Sequence, residues 1–320
     1  MERNHRTVFT LALALAACNN AGQDRVLAFE ASGVVGGLVY FDADGDREPG
    51  PPDAPVAGVR VRIAVRGSGT AIGSAVSDTA GGFRIAPLRA GRYDVLVDTA
   101  TVADSLTVAR IADSTIDLDP GDSVAVAVTV SAPRVSVRQA RLLPPRTRVF
   151  VEGVALNALA AFGDSTIHLA DTSGAIRATR VQPRPVLAGD RVRLAGTLGI
   201  RDSQPELTDV ALFALAVAAV PAPVGVRTAV ARTADAGRLD AALVVVTNAT
   251  ISDTATVAGD FRLTVTDGSG PLEVLLDRDA GFTPAPYVPG AVIDGTGLLV
   301  AASPGIWRLK PRSGADVVVN

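Results

Sequence analysis

Cysteine, methionine, tryptophan and lysine are nearly missing from this 320-residue chain: it has one Cys, one Met and one Trp, and Lys310 is its single lysine. One cysteine excludes an internal disulfide framework and a thiolate-rich metal site. Two histidines, His5 and His168, are too few for a histidine-based zinc centre. Aromatic residues make up 4% of the chain, which leaves little for the stacking platforms that hold nucleobases. Neither a P-loop nor a dinucleotide fingerprint occurs. The longest apolar run beyond the N-terminal region, Val210 to Val220, falls short of the about 20 residues that a membrane-crossing helix needs. What remains is rich in Val, Ala and Leu, with 31 Gly and 20 Pro punctuating short apolar segments. That punctuation, with no sustained 3.6-residue period, predicts an all-β protein. A hydrophobic content of 48% against 20% charge predicts globular domains.

The N-terminus is built differently. Arg3 and Arg6 precede an apolar run from Val8 to Ala17, which ends as Leu15-Ala16-Ala17-Cys18. A charged region followed by a short apolar one is the layout of an export signal. The last four residues resemble a bacterial lipobox, which implies removal of residues 1–17 and acylation of Cys18. Several acyl chains anchor stably, at about 0.8 kcal/mol per buried CH₂. The expectation is a cell-envelope protein held to the membrane by a lipid anchor. Asn19, where an aspartate would favour inner-membrane retention, points to the outer membrane. The competing reading is an ordinary secretory peptide cut near the same alanines.

After a tether at 18–32, three segments are expected. In the first, 33–132, Val59 to Val65 alternates with period two, and Ser77 to Ile85 reads as a strand entered through the turn Ala80-Gly81-Gly82. With Gly33 to Asp42 and Leu88 to Val97, these blocks resemble prealbumin-like and Sdr-type B-repeat modules, which implies a Greek-key β-sandwich. The rest of the chain repeats itself. Ile167 to Ile176, with Asp171-Thr172-Ser173-Gly174, matches Leu263 to Leu272, with Asp267-Gly268-Ser269-Gly270. Leu187 to Gly196 matches Val288 to Gly297. The order of strands and hairpins resembles OB-fold barrels, at 133–220 and 221–320, with Trp307 to Arg312 closing the second. The fold class is therefore all-β: a Greek-key sandwich followed by two OB-like barrels.

Two clusters carry chemistry. Asp42, Asp44, Asp46 and Glu48 alternate along a loop, and Asp53 follows at the twelfth position from Asp42. Oxygens so spaced can converge on a hard cation, so Ca²⁺ is the candidate cofactor, at an extracellular-type affinity near 10⁻⁴ M. Arg47 stands where an EF-hand-type loop has glycine, and a solvated acidic turn is the alternative. The Sdr resemblance also implies an acidic loop here, which in some relatives binds calcium. The second cluster is basic: Arg177, Arg180, Arg184, Arg191, Arg193 and Arg201. Charge is unevenly spread, since 133–215 holds 11 Arg against 7 acids, a surplus of +4, while 18–132 stands at −6 and 216–320 at −2. The middle segment is thus the candidate for an anionic ligand, yet Phe162 is the only aromatic between 151 and 212. Those arginines also fit the solvent face of ordinary strands, and His168, between Ile167 and Leu169, fits an exposed strand position.

With one histidine left after the signal, a Ser-His-Asp triad has little to work with, and the chain reads as non-catalytic. The leading expectation is a structural or binding role toward an envelope protein or a glycan, with nucleic acid set aside for want of stacking residues. The alternative is an accessory module that binds carbohydrate or single-stranded nucleic acid beside a separate enzyme. A hydrolase built on two carboxylates is the remote third reading.

Overall fold

The computed structural model describes residues 32–320; the expected lipobox with Cys18, and the expected tether up to residue 31, lie outside the described residues. Nine strands come first: β1 (Ser32–Phe41), β2 (Ala54–Pro55), β3 (Arg60–Val65), β4 (Ala71–Val76), β5 (Gly82–Arg89), β6 (Gly91–Val97), β7 (Thr107–Ile111), β8 (Thr115–Leu118) and β9 (Ser123–Ser131). They form two facing sheets. One centres on β1, flanked by β2 and β5 and paired in parallel with β9, which carries β7. The other runs β4-β3-β6-β8. Period-two alternation sends Val35, Val39, Val61, Ile63, Phe83, Val95, Val126 and Val128 into one core between them. Gly37 is required here: a Cβ would lie 1.8 Å from the Val126 carbonyl oxygen of the parallel neighbour.

A short helix, α1 (Val137–Ala140), leads into a closed five-stranded barrel. Its strands are β10 (Arg148–Ala155), β11 (Ile167–Asp171), β12 (Gly174–Ala178), β13 (Asp190–Arg201) and β14 (Gln204–Val217), joined in the order β10-β11-β12-β14-β13. After β15 (Val224–Gly225), α2 (Thr228–Gly237) introduces β16 (Leu243–Val257), β17 (Asp260–Thr266), β18 (Leu272–Leu276), β19 (Val292–Ser303) and β20 (Ile306–Lys310), with β21 (Val317–Val319) at the edge. The pairing β16–β19 closes this second barrel. Both barrels share one pattern, all antiparallel except a parallel join between the third and fifth strands, β12–β14 and β18–β20. The all-β architecture of a sandwich and two OB-like barrels is the one the sequence predicts.

The sequence repeat has a structural purpose. In both copies the Asp-x-Ser-Gly hairpin reaches over to cap the helix that precedes its barrel. In the first, the Val137 amide donates to Asp171 Oδ2 (2.8 Å) and the Arg138 amide to Ser173 Oγ (2.9 Å). In the second, the Thr228 amide donates to Asp267 Oδ2 (3.2 Å) and the Ala229 amide to Ser269 Oγ (3.1 Å). Free amides at a helix start favour a carboxylate. Burial pushes the Asp267 carboxyl up, but hydrogen bonds from Ser269 and Thr228 outweigh it and hold the group well below the usual carboxylate range. A folded-state pKa below the unfolded value stabilises above the unfolded pKa of about 3.9, and that gain is lost as pH falls through the folded value. Asp267→Asn, which removes the charge at the helix start, should therefore lose about 0.3–1 kcal/mol at pH 7, a difference that shrinks as urea melts are taken below pH 4.

Candidate nucleic-acid interface between the barrels

The two barrels are not beads on a string. Leu156, Phe162 and Ala175 of the first pack against Ala241, Leu243, Leu298 and Val300 of the second in one apolar cluster. Beside it lies a polar node. Arg141, from the end of α1, donates through Nη1 to Asp240 (3.1 Å) and through Nη2 to Gln204 (3.1 Å). The Trp307 indole donates to the other Asp240 oxygen at 2.7 Å. Arg312 Nη1 donates to the Leu156 carbonyl (2.9 Å), and Lys310 lies 3.9 Å from the Phe162 ring centroid. The last residues of α2 leave the right-handed helix for a left-handed turn at Ala234, Asp235 and Ala236 (φ 46, 49 and 57°), followed by Gly237 at φ 85°. Three consecutive non-glycine residues there cost about 1–2 kcal/mol each.

Along this seam runs a groove of about 710 Å³. Its apolar wall includes Leu142, Leu156, Leu239 and Leu243, and its lining carries Arg138, Arg141 and Arg238 against a single carboxylate, Asp171. That carboxylate is engaged, with Oδ2 on the Val137 amide and Oδ1 on the Ser173 and Gly174 amides. Of the three guanidinium groups, Arg141 and Arg238 are paired with Asp240 and Asp235, which leaves Arg138 without an ion pair among the described residues.

The six arginines singled out in the sequence do not form one patch. Arg177 is largely buried, on Glu206 at 3.1 Å. Arg180 and Arg201 pair with Asp209 and Asp202 in solvent. Arg184 is exposed on the loop between β12 and β13. Arg191 and Arg193 face the other way, toward Glu152 on β10, and Arg193 also donates to the Asp44 carbonyl of the sandwich at 2.8 Å. The arginines at the groove, Arg138, Arg141 and Arg238, escape a sequence reading because α1 and the turn after α2 carry no strand signal. Only the barrel packing brings them together.

The acidic loop sits at the sandwich–barrel joint, where the basic residues Arg134 and Arg193 flank Gly45. Asp42, Asp44 and Asp46 each place a carboxylate oxygen within 4.8 Å of the other two. Two members of the expected set are elsewhere, which corrects the five-ligand expectation. Glu48 pairs with Arg110, and Asp53 accepts from the Ala43 (2.8 Å) and Gly50 (3.2 Å) amides, so it shapes the loop from outside the cluster. Arg47 adopts φ 69°, the left-handed conformation that glycine would supply, and the Tyr40 hydroxyl donates to its carbonyl at 3.0 Å. Asp42 is 1% exposed; Oδ1 takes the Gly45 amide, while Oδ2 has no partner. Burial pushes this carboxyl up, against the Gly45 hydrogen bond, and the charges of Asp53 and Asp44 push it further.

His168 is buried, not exposed as expected. Alternation does point it away from the core that takes Ile167 and Leu169, but the second barrel lies over that side. Burial first, then Arg177 and Lys310, push its pKa down to about 3, and Nδ1 contacts Asn157 Oδ1 at 3.1 Å. The ring is a neutral spacer at physiological pH.

No family model and no curated protein matches the chain. Among solved structures it is similar to a murine DNA-binding protein bound with double-stranded DNA, at 13% identity and TM-score 0.30, over 56% of this chain and 98% of that one. It is similar to a replication protein A heterotrimer bound to single-stranded DNA, at 11% identity and TM-score 0.27, over 56% and 50%. The S. pombe Stn1–Ten1 complex matches at 20% identity and TM-score 0.21 over 24% of this chain, which spans 57% of that protein. The likeness is one of fold alone. The set nonetheless corrects two expectations: its members include DNA complexes, so setting nucleic acid aside does not stand, nor does the preference for an envelope-protein or glycan partner.

The groove depends on its polar node. Asp240→Ala would leave the largely buried Arg141 guanidinium without its counter-charge and the Trp307 indole N–H without its acceptor, and should cost about 3–5 kcal/mol in urea unfolding. Adding Arg141→Met should recover part of that loss, the coupling expected of residues in one network.

Proposed function

We propose that the chain is a non-catalytic binding protein whose tandem barrels take single-stranded nucleic acid, mainly through its phosphates. The observation that carries this reading is the placement of charge. The first barrel segment holds the +4 surplus between two acidic neighbours, and it spends that surplus in solvent. The side chains of Arg180, Arg191 and Arg201 are 68%, 56% and 58% exposed, and the carboxylates of Asp209 and Asp202 are exposed with their partners. Exposed ion pairs are worth about 0–1 kcal/mol, so a phosphate can replace the carboxylate at little cost. With few aromatics to stack on, affinity rests on counterion release and is steeply salt-dependent. A fluorescein-labelled single strand of about 20 nucleotides should bind at low salt, with log affinity falling against log salt at a slope of about −2 if three phosphates are neutralised. Salt-independent binding, or none at low salt, overturns the reading. The lipobox at Leu15 to Cys18 supports a cell-envelope location, which palmitate-analogue labelling of the wild type against Cys18→Ala tests.

A second reading is favoured by the unpartnered, buried Asp42 Oδ2. We propose that Asp42, Asp44 and Asp46 hold a Ca²⁺ ion, which would supply the missing partner and offset the repulsion among three carboxylates. Calcium at a hundredfold excess over Kd should add about 2.7 kcal/mol to the folded state. It would be read as a rise in Tm that Asp42→Asn abolishes. An unchanged Tm at millimolar calcium removes the site.

A further inference from the structure

We infer that the groove between the barrels is where unstacked bases of a single strand are seated, with flanking phosphates on Arg138 and Arg238; this rests on the nucleic-acid reading and assigns it a place. Three observations converge on that class of ligand. The first is size: about 710 Å³ lies within the about 300–1,000 Å³ of pockets that enclose small organic ligands. The second is the pairing of surfaces. An apolar wall of Leu156, Leu239 and Leu243 stands beside Leu142, whose side chain is left 80% exposed at the rim. A base has two apolar faces to bury against such a wall, and its phosphates stay outside. The third is charge. Arg141 is neutralised by Asp240 and holds the seam together, but Arg138 makes no ion pair among the described residues and Arg238 has only an exposed one to Asp235. The only carboxylate in the lining, Asp171, has both oxygens committed to amides. Asp171 keeps its charge, but it is held by those amides and pairs with neither Arg138 nor Arg238 among the described residues.

The groove also explains how a chain with so few aromatics can accept bases. Stacking on rings is one way to bury a base face; a leucine wall is another, less selective among bases. Binding should therefore show little sequence preference while still depending on the bases being present.

The test uses the full chain and a fluorescein-labelled single-stranded DNA of mixed sequence, read by anisotropy at low salt. Arg138→Glu with Arg238→Glu should weaken binding at least tenfold, and Leu142→Glu should weaken it several-fold. Arg60→Glu with Arg84→Glu makes the same change in net charge at exposed positions of the sandwich, outside both barrels. It should weaken binding only two- to threefold. An abasic strand of equal length should bind about tenfold more weakly to the wild type and equally to the groove variant. All four arginines and Leu142 are exposed, and unchanged melting curves confirm folding. If the two charge-reversed pairs weaken binding equally, or if the abasic strand binds the wild type as well as the normal one, the groove assignment falls while nucleic-acid binding stands. If the wild type binds no strand at low salt, both fall.

Discussion

A guanidinium, a carboxylate and an indole, withdrawn from water together, fix how one half of this molecule meets the other. Arg141 comes from the first barrel's helix; Asp240 and Trp307 come from opposite ends of the second barrel's sequence. None could be buried alone, because an unpaired charge in a dry site is costly. Each is tolerable only when the barrels are docked. The apolar cluster around Leu156 and Leu243 supplies contact area. The polar node permits one arrangement of it, and with that arrangement come the groove and the burial of His168.

The other joint follows a related logic with opposite roles. The sandwich offers an acidic loop and the first barrel offers Arg134 and Arg193, so opposite charges face one another across a domain boundary. Arg148 over the Phe41 ring at 5.2 Å, and Ala132 against Phe150 and Ala195, complete the contact. The surplus arginine left after these internal uses is smaller than the composition suggests, and it lies around the β12–β14 seam and the inter-barrel groove.

Period-two alternation made the strands legible: Val59 to Val65, Ile167 to Asp171 and Leu263 to Thr266 lie where the pattern puts them, and the duplicated Asp-x-Ser-Gly marked equivalent hairpins. What those hairpins do was not legible, because the residues they cap are 34 and 39 positions away in sequence and in helices with no long periodic signal. Alternation also reported His168's direction correctly. It could not report that another barrel covers the outward side. The acidic loop was legible as a cluster of carboxylates, but which of them converge depended on Arg110 and on two loop amides, partners that local spacing does not reveal.

The left-handed turn from Ala234 to Gly237 gives the docked pair an unusual kind of memory. Its backbone sits in a conformation that three of its four residues resist, with the Leu239 amide returning to the Ala234 carbonyl at 2.9 Å and Arg141 touching the Gly237 carbonyl from the far side. Pull the barrels apart and that outside support goes. A duplicated module can keep the freedom to be shuffled; here the second copy takes a hydrogen bond from the first at the turn that edges the groove.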